Sequence, residues 1–262
     1  MKRALQPAFK AVPLTLLLMW VTLIIPSYPY AFMNDEDIGK TQVSVAGLSL
    51  GDKLSFWAST FVGTPYDTDP LGAYVTNRAV KYDEAVDCMY LVFRVTELAL
   101  SNTPSQSVDI ALDKRFKTHG IVDESGKVVN YSDRFMYAID MILSGKWGED
   151  ITKKVGETVE IRGERGIAAV SAIPASTANR SMAGLKSGDI VFFVKYPSRR
   201  VNAEIIGHMG ILKRKADKLY LIHASGVKGT LKAAKASYKV VETDFGKYVS
   251  TMPFAGIIVT RF

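Results

Sequence analysis

The stretch A-V-D-C-M-Y-L-V-F-R-V-T-E-L-A-L, residues 85–100, holds the only cysteine of the 262-residue chain. From Cys88 to Leu100 the apolar residues run almost all the way round, with Arg94 and Glu97 as breaks. That run is too long for one strand and predicts a buried helix, with Asp87 where an N-cap belongs. A free cysteine is often only a small buried hydrophobe. At the first turn of a helix, however, the partial positive charge of the N-terminus favours the thiolate. The rest of the chain has to decide between a packed sulfur and a nucleophile.

Upstream, residues 34–42 form a polar segment, and Leu48 to Asp52 lead into a helix capped by Asp52 or Ser55. Leu54, Phe56, Trp57, Phe61 and Val62 make it apolar, and Gly63 and Pro65 stop it. Residues 67–84 are polar and rich in turn formers, which predicts a loop. Downstream, the pattern predicts helices over 105–117 and 133–144, the second ended by Gly145. Then the character changes. V-E-I-R, D-I-V-F-F-V, H-M-G-I-L, L-Y-L-I-H-A and G-I-I-V-T-R-F are short runs of β-branched and aromatic residues separated by Gly, Lys and Asp. Helices followed by strands argue for an α+β fold in a single domain over residues 32–262.

The front of the chain reads differently. Lys2, Arg3 and Lys10 precede an apolar run from Ala11 to Pro26, and no acidic residue appears before Asp35. This is the pattern of a secretory signal in residues 1–31. An uncleaved membrane tether through residues 11–26 is the alternative, although the run is shorter than a comfortable bilayer span of roughly 20 residues. The expected compartment is therefore outside the cytoplasm, in the periplasm or cell envelope. A lone thiol there cannot close an internal disulfide, so it is either inert or kept for its reactivity. The body is mildly basic without a lysine or arginine block, which argues against a nucleic-acid partner.

The chain has three histidines. His119 sits in K-T-H-G, where a helix end is expected, and an ordinary structural role accounts for it there. His208 and His223 each fall in a predicted strand, fifteen residues apart, with the polar K-R-K-A-D-K-L turn between them. A hairpin sets them on neighbouring strands, close enough for one to orient the other. In that arrangement Cys88 would be the nucleophile, His208 would take and return its proton, and His223 would hold the His208 tautomer. A Cys-His-His zinc site is the rival use, but no close-spaced pair such as C-x-x-C or H-x-x-x-H is present. No metal or other cofactor is expected.

Five pieces occur in order: F-V-G-T-P-Y at 61–66, D-C at 87–88, S-G-D-I-V-F-F at 187–193, G-H-M-G-I-L at 207–212 and I-H-A-S-G at 222–226. Together they resemble the NlpC family of papain-like bacterial cell-wall hydrolases, and more narrowly its N-acetylmuramoyl-L-alanine amidase-like branch. The resemblance covers about residues 50 to 262. It implies a papain-like fold, with the nucleophile helix packed on an antiparallel sheet that bears both histidines. It assigns Cys88, His208 and His223 to catalysis. Tyr66 would lie beside the nucleophile or simply pack in its turn. Asp87 would contact substrate or cap the helix, and Ser225 would line the cleft or end a strand. Residues 130–147 resemble a helix of the amidase-like branch, with Tyr131 and Arg134 as substrate-binding candidates. Trp57 is expected in the core, and Trp147 is a candidate for stacking on a sugar. The implied substrate is peptidoglycan or a muropeptide. The W-G-G that follows the tyrosine in many endopeptidase relatives is absent from 67–84, which favours the amidase branch over a stem-peptide endopeptidase. A non-catalytic peptidoglycan-binding relative is the remaining alternative.

Overall fold

The computed structural model describes residues 33–228 and 238–262. The expected leader and tether, residues 1–31, lie outside the described residues. Among the described residues no helix is long and apolar enough to cross a membrane. The mixture of helices with an antiparallel sheet that the sequence predicts does form.

The helices come first. α1 (Asp35–Ser44) occupies what reads as a polar segment. Asn34 caps it by accepting from the Asp37 amide, and Ile38 and Gln42 turn inward. α2 (Leu50–Thr60) is capped by Ser49, not by Asp52 or Ser55. Ser49 Oγ accepts from the Asp52 amide and donates to its carboxylate, so the two residues close the helix end together. The four-residue α3 (Ala73–Thr76) interrupts the expected loop. α4 (Cys88–Leu100) begins where predicted and is buried from Tyr90 to Ala99. α5 (Pro104–Lys114) has Thr103 as its cap and Pro104 at its first turn, where a missing N–H costs nothing. It ends three residues before the expected stop.

The helix expected over 133–144 is shorter than its pattern. α6 spans Ala138–Ser144, and Gly145 ends it in the left-handed region at φ 69°. Residues 131–133 form a 3-10 turn, and Arg134 is extended and bridges to Phe116. That bridge pulls the chain out of the helical path.

Among the described residues eight strands follow, with two short α-helices between them: β1 (Glu149–Asp150), α7 (Thr152–Val155), β2 (Val159–Arg162), β3 (Ala169–Pro174), β4 (Ile190–Lys195), β5 (Ile206–Lys215), β6 (Lys218–Ser225), β7 (Lys239–Asp244), α8 (Phe245–Thr251) and β8 (Phe254–Arg261). Every pairing is antiparallel, in the order β2-β3-β8-β4-β5-β6-β7, with β1 on the end of β8. β3 and β7 are not among the five expected runs. β4 is buried on both faces, and this is why I-V-F-F-V shows no alternation. One face of the sheet packs on α2 and α4 through Ile190, Phe192, Val194, Met209 and Ile211. The other carries α7 and α8 through Val191, Phe193, Leu212 and Leu221. The aspartate of S-G-D is sealed in. Asp189 accepts from the Lys186 amide and from two nitrogens of Arg261 at 2.6 and 2.8 Å, so it pins the start of β4 to the end of β8.

α4 carries charge into the core. Arg115 of the segment after α5 gives Glu97 two hydrogen bonds, at 2.5 and 2.7 Å, and both side chains are almost wholly excluded from water. Arg94 and the Tyr90 hydroxyl both reach Asp83, tying the loop before Cys88 to the middle of the helix. Removing one member of such a pair strands the other charge in the core. Arg115→Met should therefore cost about 3–5 kcal/mol in denaturant unfolding, and adding Glu97→Leu should recover most of it.

Candidate active site

Cys88 is the first residue of α4 and is partly exposed. Asp87 caps the helix by accepting from the Tyr90 amide at 2.7 Å. Its carboxylate also pairs with Lys228 at 2.7 Å. Of the two expected uses of Asp87, capping is present, and a lysine takes up its outer oxygen.

β5 packs on α4, and Met209, one residue beyond His208, belongs to the same core cluster that Cys88 packs against. Cross-strand register puts His208 opposite Phe193 on β4, and β6 carries His223 on the other side. The two rings meet edge to face, with His208 Nε2 2.9 Å from His223 Nδ1. The second glycine of G-H-M-G makes room for this. A Cβ on Gly210 would come within 2.7 Å of the Ile222 carbonyl and 3.0 Å of His223 Cβ. Tyr248 of α8 packs on both imidazoles, at ring-centre distances of 6.2 and 4.7 Å. Its phenol also feels the charge of a Cys88 thiolate.

Tyr66 lies near Cys88 and Asp87. Burial, and then Cys88 and Asp87, push its phenol well above the ordinary range. The last glycine of I-H-A-S-G lies flat on that ring, since a Cβ on Gly226 would fall 2.2 Å from Tyr66 Cγ. Ser225 ends β6 opposite Lys239 and is partly exposed. Tyr131 belongs to a different group. Its hydroxyl donates to the Ala79 carbonyl at 2.5 Å, and its ring packs on Tyr74 and Phe116. Arg134 donates to the Tyr131 carbonyl at 2.9 Å. His119 is exposed on the loop beyond α5 rather than in its last turn. Trp57 is in the core as expected. Trp147 is fully buried against Phe93 and so cannot stack on a sugar.

The electrostatics depart from expectation in one respect. The helix N-terminus should favour a thiolate, but burial first and Asp87 second push the Cys88 thiol up to about 12. Lys228 and the Met209 amide pull the other way without prevailing. Burial holds His208 down at about 3, helped by His223, and holds His223 at about 4. Thiol and imidazoles are thus all neutral at rest. Among the described residues no three His, Cys, Asp or Glu side chains are grouped to hold a metal ion, as a zinc site would require. Cavities of about 340 and 590 Å³ both border Arg261 and Phe262, and neither has Cys88 or a histidine in its wall.

Solved structures share this fold. An N-acetylmuramoyl-L-alanine amidase from Bacteroides uniformis is 21% identical and superposes with a TM-score of 0.62 over 81% of this chain and 98% of its own. A protein of the DUF1460 family from Legionella pneumophila is 18% identical, with a TM-score of 0.63 over 86% of this chain and 93% of its own. A Bacteroides fragilis chain provisionally described as a xylanase is 19% identical, with a TM-score of 0.60 over 79% of this chain and 100% of its own. The chain therefore shares its fold with these three solved structures. No protein-family model matches the chain, and no curated protein does.

Sequence reasoning did not find Lys228 or Tyr248. Neither stands in a motif, and only the folded chain brings them to Asp87 and to the histidines.

The depressed imidazoles have a stability consequence. An unfolded histidine takes up its proton near 6.5, whereas these two do so only near 3 and 4 when folded. Stability is then whole above the unfolded value and is lost as pH falls through the interval below it. The thermal midpoint should drop on acidification across that interval, and a His208→Gln/His223→Gln variant should show a shallower drop.

Proposed function

We propose that this protein is a papain-like cysteine amidase of the NlpC type. It would cut the bond between N-acetylmuramic acid and L-alanine in peptidoglycan or in its muropeptide fragments. The observation that carries the reading is the 2.9 Å contact between His208 Nε2 and His223 Nδ1, on two strands that both pack against α4. The fold shared with a Bacteroides amidase supports the bond type. The leader pattern in residues 1–31 supports export, with residues 32–262 as the working unit.

The histidine contact defines the proton inventory. If His208 donates from Nε2 to His223 Nδ1, its own Nδ1 is bare and can accept the thiol proton. With the thiol raised and the imidazole lowered, no resting ion pair forms, so the proton leaves only as the sulfur attacks. A C–S bond forms at the lactyl carbonyl carbon while the proton moves to His208 Nδ1. The same proton then passes to the alanine nitrogen as the C–N bond breaks. Water attacks the thioester, gives a proton to His208, and releases the carboxylic acid as the thiol is restored. The backbone N–H at the start of α4 would donate to the oxyanion. Tyr66, Asp87 and Ser225 would flank the scissile bond, with Tyr131 and Arg134 farther along the substrate. No cofactor enters any step.

Muropeptides incubated with the protein and analysed by mass spectrometry should release a stem peptide beginning at L-alanine, and a Cys88→Ala control should release none. Cleavage inside the stem would instead make the protein an endopeptidase. Binding without cleavage would make it a non-catalytic relative.

A further inference from the structure

Asp87 poses a problem for the residue next to it. An N-cap needs only an oxygen that accepts from the Tyr90 amide, which Ser, Thr or Asn supplies without charge. Aspartate adds a nearly buried negative charge directly before the thiol, where it opposes formation of a second one. The remaining oxygen of that carboxylate is where Lys228 sits, at 2.7 Å.

We propose that Lys228 is the positioning residue of the nucleophile, a counter-ion whose ammonium group offsets Asp87 and so sets how readily the Cys88 thiolate forms. The lysine is not placed by the ion pair alone. Two residues earlier, Gly226 lies against the Tyr66 ring, and β6 ends at Ser225, so the backbone leading to Lys228 is held from behind. Its side chain keeps 31% of its exposure and that of Asp87 only 9%, but the ammonium nitrogen itself is buried, so the exposed part of the lysine is its aliphatic stem.

The other groups facing the thiol come from every element around it. β5 supplies the Met209 N–H, and Glu204, just before β5, is itself paired with Lys195. The Tyr66 and Tyr248 phenols, which feel the charge on Cys88, are uncharged at neutral pH, and so are the two imidazoles packed on Tyr248. Of the charged groups, Asp87 and Glu204 oppose the thiolate and Lys228 favours it. A lysine that merely fastened its loop would leave the thiol unchanged when replaced by an apolar side chain of similar length.

The inference rests on Cys88 being the nucleophile. Its test reads the thiol itself, so it is separable from whether muropeptides are the substrate. The rate of Cys88 alkylation by neutral iodoacetamide would be followed in the folded protein across about pH 6 to 10. In Lys228→Met the profile should move to higher pH by about one unit, an approximately tenfold fall in rate at fixed pH. Lys228→Arg should restore it. Asp87→Asn, which keeps the cap, should move the profile the other way. Thermal melting of each variant verifies that the folded protein is being read, and Asp87→Asn supplies the test if Lys228→Met does not fold. A Lys228→Met profile that overlays the wild type, or an Asp87→Asn profile that does not move to lower pH, would overturn the proposal.

Discussion

Glu97 and Arg115 face each other in the core with almost no access to water, and the position of α4 depends on that pair. A helix buried on nearly every side has no polar face to fix its rotation. Apolar packing alone tolerates sliding, because one aliphatic contact is much like another. A bidentate ion pair does not, since its geometry is directional and its loss leaves an unpaired charge. Arg94 and Tyr90 extend the same constraint to Asp83, in the loop that delivers Cys88. The thiol is located by charges roughly two to three turns away from it along the helix.

What surrounds the thiol is quiet by comparison. The helix end, the aspartate cap, the lysine and the strand amide work against one another, and the sulfur remains protonated. The histidines, packed under Tyr248 and Phe193, are also neutral. A cysteine kept in that state resists oxidation and adventitious alkylation, because both proceed through the thiolate. An exposed low-pKa thiol would lack that protection.

Much of this was legible in the sequence, for identifiable reasons. The head of α4 could be read because an aspartate directly before a long apolar run is a strong mark of a capped helix start. β4, β5, β6 and β8 could be read from their β-branched and aromatic runs, and the fifteen-residue separation of His208 and His223 matches a hairpin. β3 was missed because A-V-S-A-I-P has small residues and a proline, and its pairing with β8 supplies what its composition does not. α1 was missed because only Ile38 and Gln42 of its ten residues turn inward, which leaves almost no period to detect. The start of α6 was misplaced because the bridge between Phe116 and Arg134 is a distant contact that overrides local pattern. At the site, residue types were legible and their ionisation was not. Burial and the approach of Lys228 exist only once β6 has been brought beside α4.

The order of the sheet has a consequence for how the chain is made. β8 is the last of the described strands, yet it lies in the interior of the sheet, between β3 and β4. The β4, β5, β6 and β7 ladder can assemble from neighbours as each is synthesised, but the β2–β3 hairpin has nothing to join until β8 arrives. Through that interval the open edges of β4 and β3 are templates for the wrong strand. Folding should be slow for a chain of this size, since its closing step joins distant segments. Losing β8 would split the sheet into two pieces, whereas losing an edge strand would only narrow it.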